Sequence, residues 1–163
     1  FKRGEFETGE AIDFGDLQVR SFAISHDTAD PVGFVIDDGR VRLGICTDTG
    51  IPTRLINLRL SNCDGLVVEF NHDPDMLKNG PYPQSLKQRV KSSEGHLSNS
   101  DGASLLNSVL HDGLRQVVLA HLSETNNLPE IAYQEAEKVV QDRLELSALA
   151  ISEQQRPTRL YEL

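Results

Sequence analysis

Leu66-Val67-Val68-Glu69-Phe70-Asn71-His72-Asp73-Pro74-Asp75 is the stretch on which the reading of this chain turns. A short apolar run carrying one acid, Glu69, passes directly into a very polar segment, the pattern of a buried strand that ends at a site of chemistry or at a turn. Immediately upstream, Pro52 opens an expected helix whose apolar positions Leu55, Ile56 and Leu60 lie about one turn apart. That helix should end near Cys63-Asp64-Gly65. Further upstream, Gly33-Phe34-Val35-Ile36 and Val41-Arg42-Leu43-Gly44-Ile45-Cys46 flank Asp37-Asp38-Gly39-Arg40, a hairpin signal, and Leu17, Val19, Phe22 and Ile24 alternate with polar residues as a further strand.

Downstream, residues 82 to 92 read as helical, and Gly95-His96-Leu97-Ser98-Asn99 as a loop in which Ser98 or Asn99 caps a helix through Ala103-Ser104-Leu105-Leu106. Gln116-Val117-Val118-Leu119-Ala120 is another short strand. Pro129 starts a helix whose apolar face is Ile131, Ala132, Ala136, Val139 and Val140. Leu146 to Ile151 and Leu160 to Leu163 are expected to close the chain as strands. With no internal repeat, low-complexity tract or linker, the 163 residues form one unit of mixed α and β structure.

Composition narrows the function classes. Hydrophobic residues make up 38% and charged residues 25%, enough for a real core. The longest apolar runs, such as Val117 to Ala120, are far below the roughly 20 residues that cross a bilayer, so no membrane partner is expected. Sixteen Lys plus Arg face 25 Asp plus Glu, a net charge of -9. That balance argues against loose attraction to phosphate backbones, so any nucleic-acid role must be site-directed. Cys46 and Cys63 form no Cys-x-x-Cys pair, which points to a reducing cytoplasm instead of a zinc ribbon or a disulfide scaffold. The chain opens at Phe1 without a signal-like leader, and we expect further sequence ahead of it.

Three ionisable residues follow apolar runs: His26 after Phe22-Ala23-Ile24, Asp48 after Gly44-Ile45-Cys46, and His121 after Val117-Val118-Leu119. Strand ends at one edge of a sheet can converge, and two imidazoles with a carboxylate suit zinc or manganese. The same residues also serve as turn formers or hydrogen-bonded partial-core groups, and spacing leaves both readings open.

The order of the motifs adds a resemblance. Ser25-His26-Asp27 with Pro31-Val32-Gly33-Phe34, then Thr47-Asp48-Thr49, then Glu69-Phe70-Asn71-His72-Asp73, Tyr82-Pro83-Gln84-Ser85-Leu86-Lys87, Gly95-His96-Leu97-Ser98-Asn99 and His121-Leu122-Ser123 resembles the C-terminal half of metallo-β-lactamase-fold hydrolases. The likeness is greatest to the branch of tRNase Z and the WalJ-type exonucleases. It implies an α+β fold, half of a four-layer αββα sandwich with helices on one face of a mixed sheet, over residues 1–163. It implies that His26, Asp48 and His121 are metal ligands, in a site that holds two zinc ions when intact, with manganese as the other candidate. It implies that Glu69 and His96 are catalytic near a scissile phosphate of DNA or RNA, with a metal-bridging hydroxide as nucleophile and His96 protonating the leaving oxygen.

The His-x-His-x-Asp-His motif of that family is absent, since none of His26, His72, His96, His111 and His121 are so spaced. Half of the metal site and half of the sandwich therefore lie outside this chain, and an apolar sheet face should stand uncovered. A separate N-terminal half, a second chain or a homo-oligomer would cover it. The competing functions are a non-catalytic assembly module and a thioester or lactam hydrolase on the same scaffold. For the remaining residues, His72 reads as a substrate-side residue or a turn residue before Pro74, and His111 as a helix C-cap. Lys87, Arg89 and Lys91 read as a solvated helix face or phosphate contacts, and Cys46 as core.

Overall fold

The computed structural model describes residues 4–141 and 148–163. Seven strands form one mixed sheet in sequence order: β1 (Ala11–Phe14), β2 (Leu17–Ala23), β3 (Val32–Asp37), β4 (Arg42–Cys46), β5 (Gly65–Glu69), β6 (Gln116–Ala120) and β7 (Leu149–Ile151). The first four pair antiparallel and β4 to β7 pair parallel. Helices α1 (Arg54–Leu60), α2 (Pro74–Asn79), α3 (Gln84–Val90), α4 (Asn99–Val109) and α5 (Pro129–Val140) fill the crossovers. Each parallel step advances in the same direction across the sheet, and crossovers of one hand then deliver their helices to the same face.

That face is the core. Val35, Cys46, Leu66, Val68, Val117, Leu119 and Leu149 point into it and are buried, against Ile56 and Leu60 of α1, Leu105 and Leu106 of α4, and Ala132 and Ala136 of α5. Residues of the alternate register, Val19, Phe34, Ile36, Ile45, Val67 and Val118, line the other face and are only half-buried. They form an apolar band, half open to water, across five strands. Part of it is covered from within the chain, by Leu163 over Gly65 and Leu43 and by Phe6 against Phe34.

The helices start where local chemistry lets them. Thr53, Asp73 and Ser98 each cap a helix by accepting the backbone N–H three residues on, from Ile56 at 3.2 Å, Met76 at 2.7 Å and Asp101 at 3.1 Å. Pro52 thus sits ahead of the α1 cap and not inside its first turn. The polar segment after β5 is more than a turn, because Asp73 as cap and Pro74 at the first helical position nucleate α2. Leu160–Leu163, expected as a strand, has no ladder partner among the described residues. Of Leu146 to Ile151, β7 begins at Leu149, and residues 146 and 147 lie outside the described residues. Strand β1 was also not expected; it closes a hairpin through Gly15, whose φ is 61°.

Helix α4 lies directly over the end of β5. A Cβ on Gly102 would stand 2.6 Å from the carbonyl oxygen of Glu69 and 3.0 Å from the Phe70 ring. Gly102→Ala, which helix propensity alone would favour, should instead destabilise the chain by about 1–3 kcal/mol, read as a lower urea midpoint with an unchanged slope.

Candidate metal centre

Strand β2 runs in the same sense as β4, β5 and β6, so the C-terminal ends of all four lie along one sheet edge. His26 follows β2, Asp48 follows β4, Glu69 ends β5 and His121 follows β6, while His96 arrives from the loop before α4. The structure brings all five together. Asp48 Oδ1 lies 3.7 Å from His26 Nε2, 3.5 Å from His121 Nε2 and 3.8 Å from His96 Nδ1. The His96 ring centroid lies 4.9 Å from that of His26 and 5.1 Å from that of His121.

Glu69 organises the group. It is completely buried, and each of its oxygens accepts two hydrogen bonds. Oε1 accepts from His96 Nδ1 at 2.8 Å and His121 Nδ1 at 2.7 Å, and Oε2 from the backbone N–H of Thr49 at 2.9 Å and of Leu97 at 3.3 Å. An ionised carboxyl group has about four lone-pair positions, and all are taken. Burial pushes the Glu69 pKa up, but the His121, His96 and Thr49 donors more than offset this and hold it below the usual carboxylate range. Reciprocally, the hydrogen bond to Glu69 raises the pKa of His121.

A carboxylate cannot donate, so His96 and His121 must carry their protons on Nδ1. The same logic applies to His26, whose Nδ1 donates to the carbonyl of Gly95 at 3.1 Å. In the neutral state all three imidazoles therefore keep the Nε2 lone pair free. Tetrahedral ligands at about 2.1 Å from one ion stand about 3.4 Å apart, close to the separations of the His26 and His121 Nε2 atoms from Asp48. Imidazoles oriented by carboxylate or carbonyl, beside the carboxyl group of Asp48, are a donor set for a borderline divalent cation. Asp48, Glu69, His96 and His121 offer ligand atoms within 4.8 Å of one another, but Glu69 has no lone pair to spare while its four donors stay in place.

Two of these residues sit in a backbone conformation that costs energy. Asp48 and His121 both have φ of 59°, the left-handed region that residues other than glycine seldom occupy. The hydrogen bond from Thr49 N–H to Glu69 fixes the turn at Asp48. At His121, Asn71 Nδ2 donates to the His121 carbonyl at 2.8 Å and the Asn71 carbonyl accepts from Ser123 N–H at 2.8 Å. Asn127 donates in turn to the carbonyls of Phe70 and Asn71. This asparagine relay is the functional part that residue-type reasoning missed. Asn71 belongs to the quoted motif, yet its position in sequence gives no sign that it grips a residue 50 positions away.

The other candidates are accounted for elsewhere. His72 is buried outside the cluster, and burial pushes its pKa down to about 4, so it is neutral at ordinary pH. His111 is no helix cap: its Nε2 donates to the Cys63 carbonyl at 3.0 Å and its Nδ1 accepts from Gly113 N–H at 3.1 Å, tying two loops together. Arg89 forks onto Asp27, and Lys87 donates to the Lys78 carbonyl at 2.8 Å. Cys46 is fully buried with its thiol pushed up to about 12 by desolvation, an inert core residue as expected.

Set beside known proteins, the chain is 36% identical over 138 residues to "Exodeoxyribonuclease YycJ" of Bacillus anthracis, covering 85% of this chain and 52% of that protein. It is 40% identical over 130 residues to "Exodeoxyribonuclease WalJ" of Streptococcus pneumoniae, covering 78% and 48%. It thus spans about half the length of the curated relatives it matches. Among solved structures, the metallo-β-lactamase fold protein YhfI of Bacillus subtilis superposes with a TM-score of 0.67 at 17% identity, over 91% of this chain and 52% of that one. Human tRNase Z, short form, superposes with a TM-score of 0.51 at 18% identity, over 69% and 38%. No protein-family model matches the chain.

The hydrogen bonding of Glu69 generates a direct expectation. Glu69→Gln keeps the volume but presents an amide NH2 to two of the four donors. Zinc affinity, measured by competition with a chromophoric chelator, should fall 10- to 100-fold while the fold survives.

Proposed function

We propose that this chain, a seven-stranded portion of the metallo-β-lactamase fold with exodeoxyribonuclease relatives, is the C-terminal half of a metal-dependent hydrolase of phosphodiester bonds that removes nucleotides from DNA ends. The observation that carries the proposal is the convergence of His26 and His121, each with Nε2 free and within 3.7 Å of Asp48 Oδ1, with His96 beside them and its Nδ1 held by Glu69. His26, Asp48 and His121 are assigned as metal ligands, and nitrogen with oxygen donors favours zinc, with manganese second. When bound, the metal lowers the pKa of water and neutralises phosphate charge.

The chain's own groups supply the rest. His96 lines the cleft beside the cluster, its Nδ1–H held by the buried Glu69 carboxylate, which leaves Nε2 as its free ring nitrogen. That is the arrangement of a general acid for a leaving alkoxide, and Glu69 is the group that orients it. The net charge of -9 gives no general attraction for DNA, which suits an enzyme that engages a strand end at one site.

The half-buried face of Val19, Phe34, Ile36, Ile45, Val67 and Val118 is assigned to the missing N-terminal half of the sandwich, which would bring the His-x-His-x-Asp-His ligands to the same edge. Among the described residues no helix is long and apolar enough to cross a membrane. With Cys46 and Cys63 both free and buried, we place the protein in the reducing cytoplasm.

The test joins the chain to an upstream segment carrying that motif and measures both metal by elemental analysis and release of nucleotides from a DNA oligonucleotide. The joined protein should hold metal through dialysis and cleave. Asp48→Ala combined with His121→Ala should lower cleavage by at least three orders of magnitude. Undiminished cleavage by the double variant would contradict the assignment.

A further inference from the structure

A cleft of about 390 Å³ opens beside the histidine cluster, with His26, His96 and His121 at one end. Its two walls differ in chemistry. On the α3 side stand Tyr82, Leu86 and Val90, and on the side of the loop after β6 stand Ser123, Thr125 and Asn126. A ligand that fits has a flat apolar face, a hydrogen-bonding edge and a phosphate at the cluster end. We infer that the cleft seats the terminal nucleotide of an unpaired DNA end, with its base stacked on Tyr82. This inference rests on the phosphodiesterase reading above.

Four observations converge on it. Tyr82 is half-buried, and among the described residues its hydroxyl has no hydrogen-bond partner and its ring no aromatic neighbour. It therefore lines the cleft with hydroxyl and ring free of any polar or aromatic partner among the described residues. Arg89 is the cation that lines the cleft, and its Nε and Nη2 donors are both committed to Asp27. That ion pair already engages the charge at this rim, and the apolar and aromatic surface of the α3 side stands beside it. The cleft lies near the lower end of the size range of small-ligand sites, room for one base with its sugar. The cleft is also continuous with the candidate metal centre, so a nucleotide seated in it would present its phosphate to the cluster.

Stacking on an aromatic ring depends on the π face of the base and tolerates any base, which suits stepwise removal of successive nucleotides. The affinity signature is consequently a base signature and not a charge signature.

The experiment titrates the full chain with dAMP and, separately, with deoxyribose phosphate, which carries the same phosphate and no base, and follows binding by NMR chemical shifts. The unmodified chain should bind dAMP roughly tenfold tighter than deoxyribose phosphate. Tyr82→Leu, which keeps apolar bulk without a π face, should lose that preference, and Tyr82→Phe should retain it. Equal binding of the two ligands by the unmodified chain, or an undiminished preference in Tyr82→Leu, would overturn the inference. If Tyr82→Leu fails to fold by circular dichroism, the unmodified chain and Tyr82→Phe still decide it, because loss of the preference in a folded Tyr82→Phe would also contradict stacking. Cleavage of an ordinary DNA oligonucleotide by the joined protein reads the phosphodiesterase separately. Its absence would count against the hydrolase reading, whereas its presence beside equal binding of dAMP and deoxyribose phosphate would retire the Tyr82 seat alone.

Discussion

A carboxylate removed from water must have its lone pairs answered by donors, and Glu69 meets that requirement with donors drawn from three separate parts of the chain. Thr49 ties it to the turn that carries Asp48, His96 and Leu97 tie it to the loop before α4, and His121 ties it to the end of β6. Each donor is thereby fixed relative to the others through one buried group. The left-handed turns at Asp48 and His121 are strained in isolation, and these bonds, together with the grip of Asn71 on His121, hold them. One acid thereby sets two ring tautomers and holds the turn at Asp48.

Topology explains why such an acid can exist here. Parallel strands β4, β5 and β6 end together, and the antiparallel β2 and β3 return the chain so that β2 ends at the same edge. Helices on the core face leave that edge open and the opposite face apolar and half-exposed. Site and uncovered face adjoin each other, because Glu69 belongs to the same register as Val67 on the open side of the sheet. A second layer docking on that face would roof the cluster as well as bury the apolar band, coupling assembly of the fold to completion of the site.

Much of this was legible in the residues. Gln116–Ala120 was bounded by polar residues on both sides and came out as β6 with those limits, and Pro129 marked the start of α5. His26, Asp48 and His121 stood out because each follows an apolar run, and strand polarity then forces such positions to one edge. What stayed hidden has physical causes. The Asp73 cap and Pro74 look the same in a turn and at the start of a short helix, so α2 read as loop. Left-handed backbone at Asp48 and His121 carries no glycine to announce it. The Asn71 to His121 hydrogen bond spans 50 positions, and no local pattern encodes it. His111 beside Asp112-Gly113 resembled a cap, but the carbonyl it meets belongs to Cys63, which only the packing of α1 brings near.

The central claim is that buried acceptors fix the proton of His26, His96 and His121 on Nδ1 and leave Nε2 for chemistry. Nitrogen-15 NMR of the histidine side chains reads this directly, since protonated and unprotonated ring nitrogens resonate apart. At a pH where these rings are neutral, all three residues should show the Nδ1–H tautomer with an unprotonated Nε2. A predominant Nε2–H tautomer at His96 or His121 would mean that Glu69 does not hold them, and the account would fail at its base.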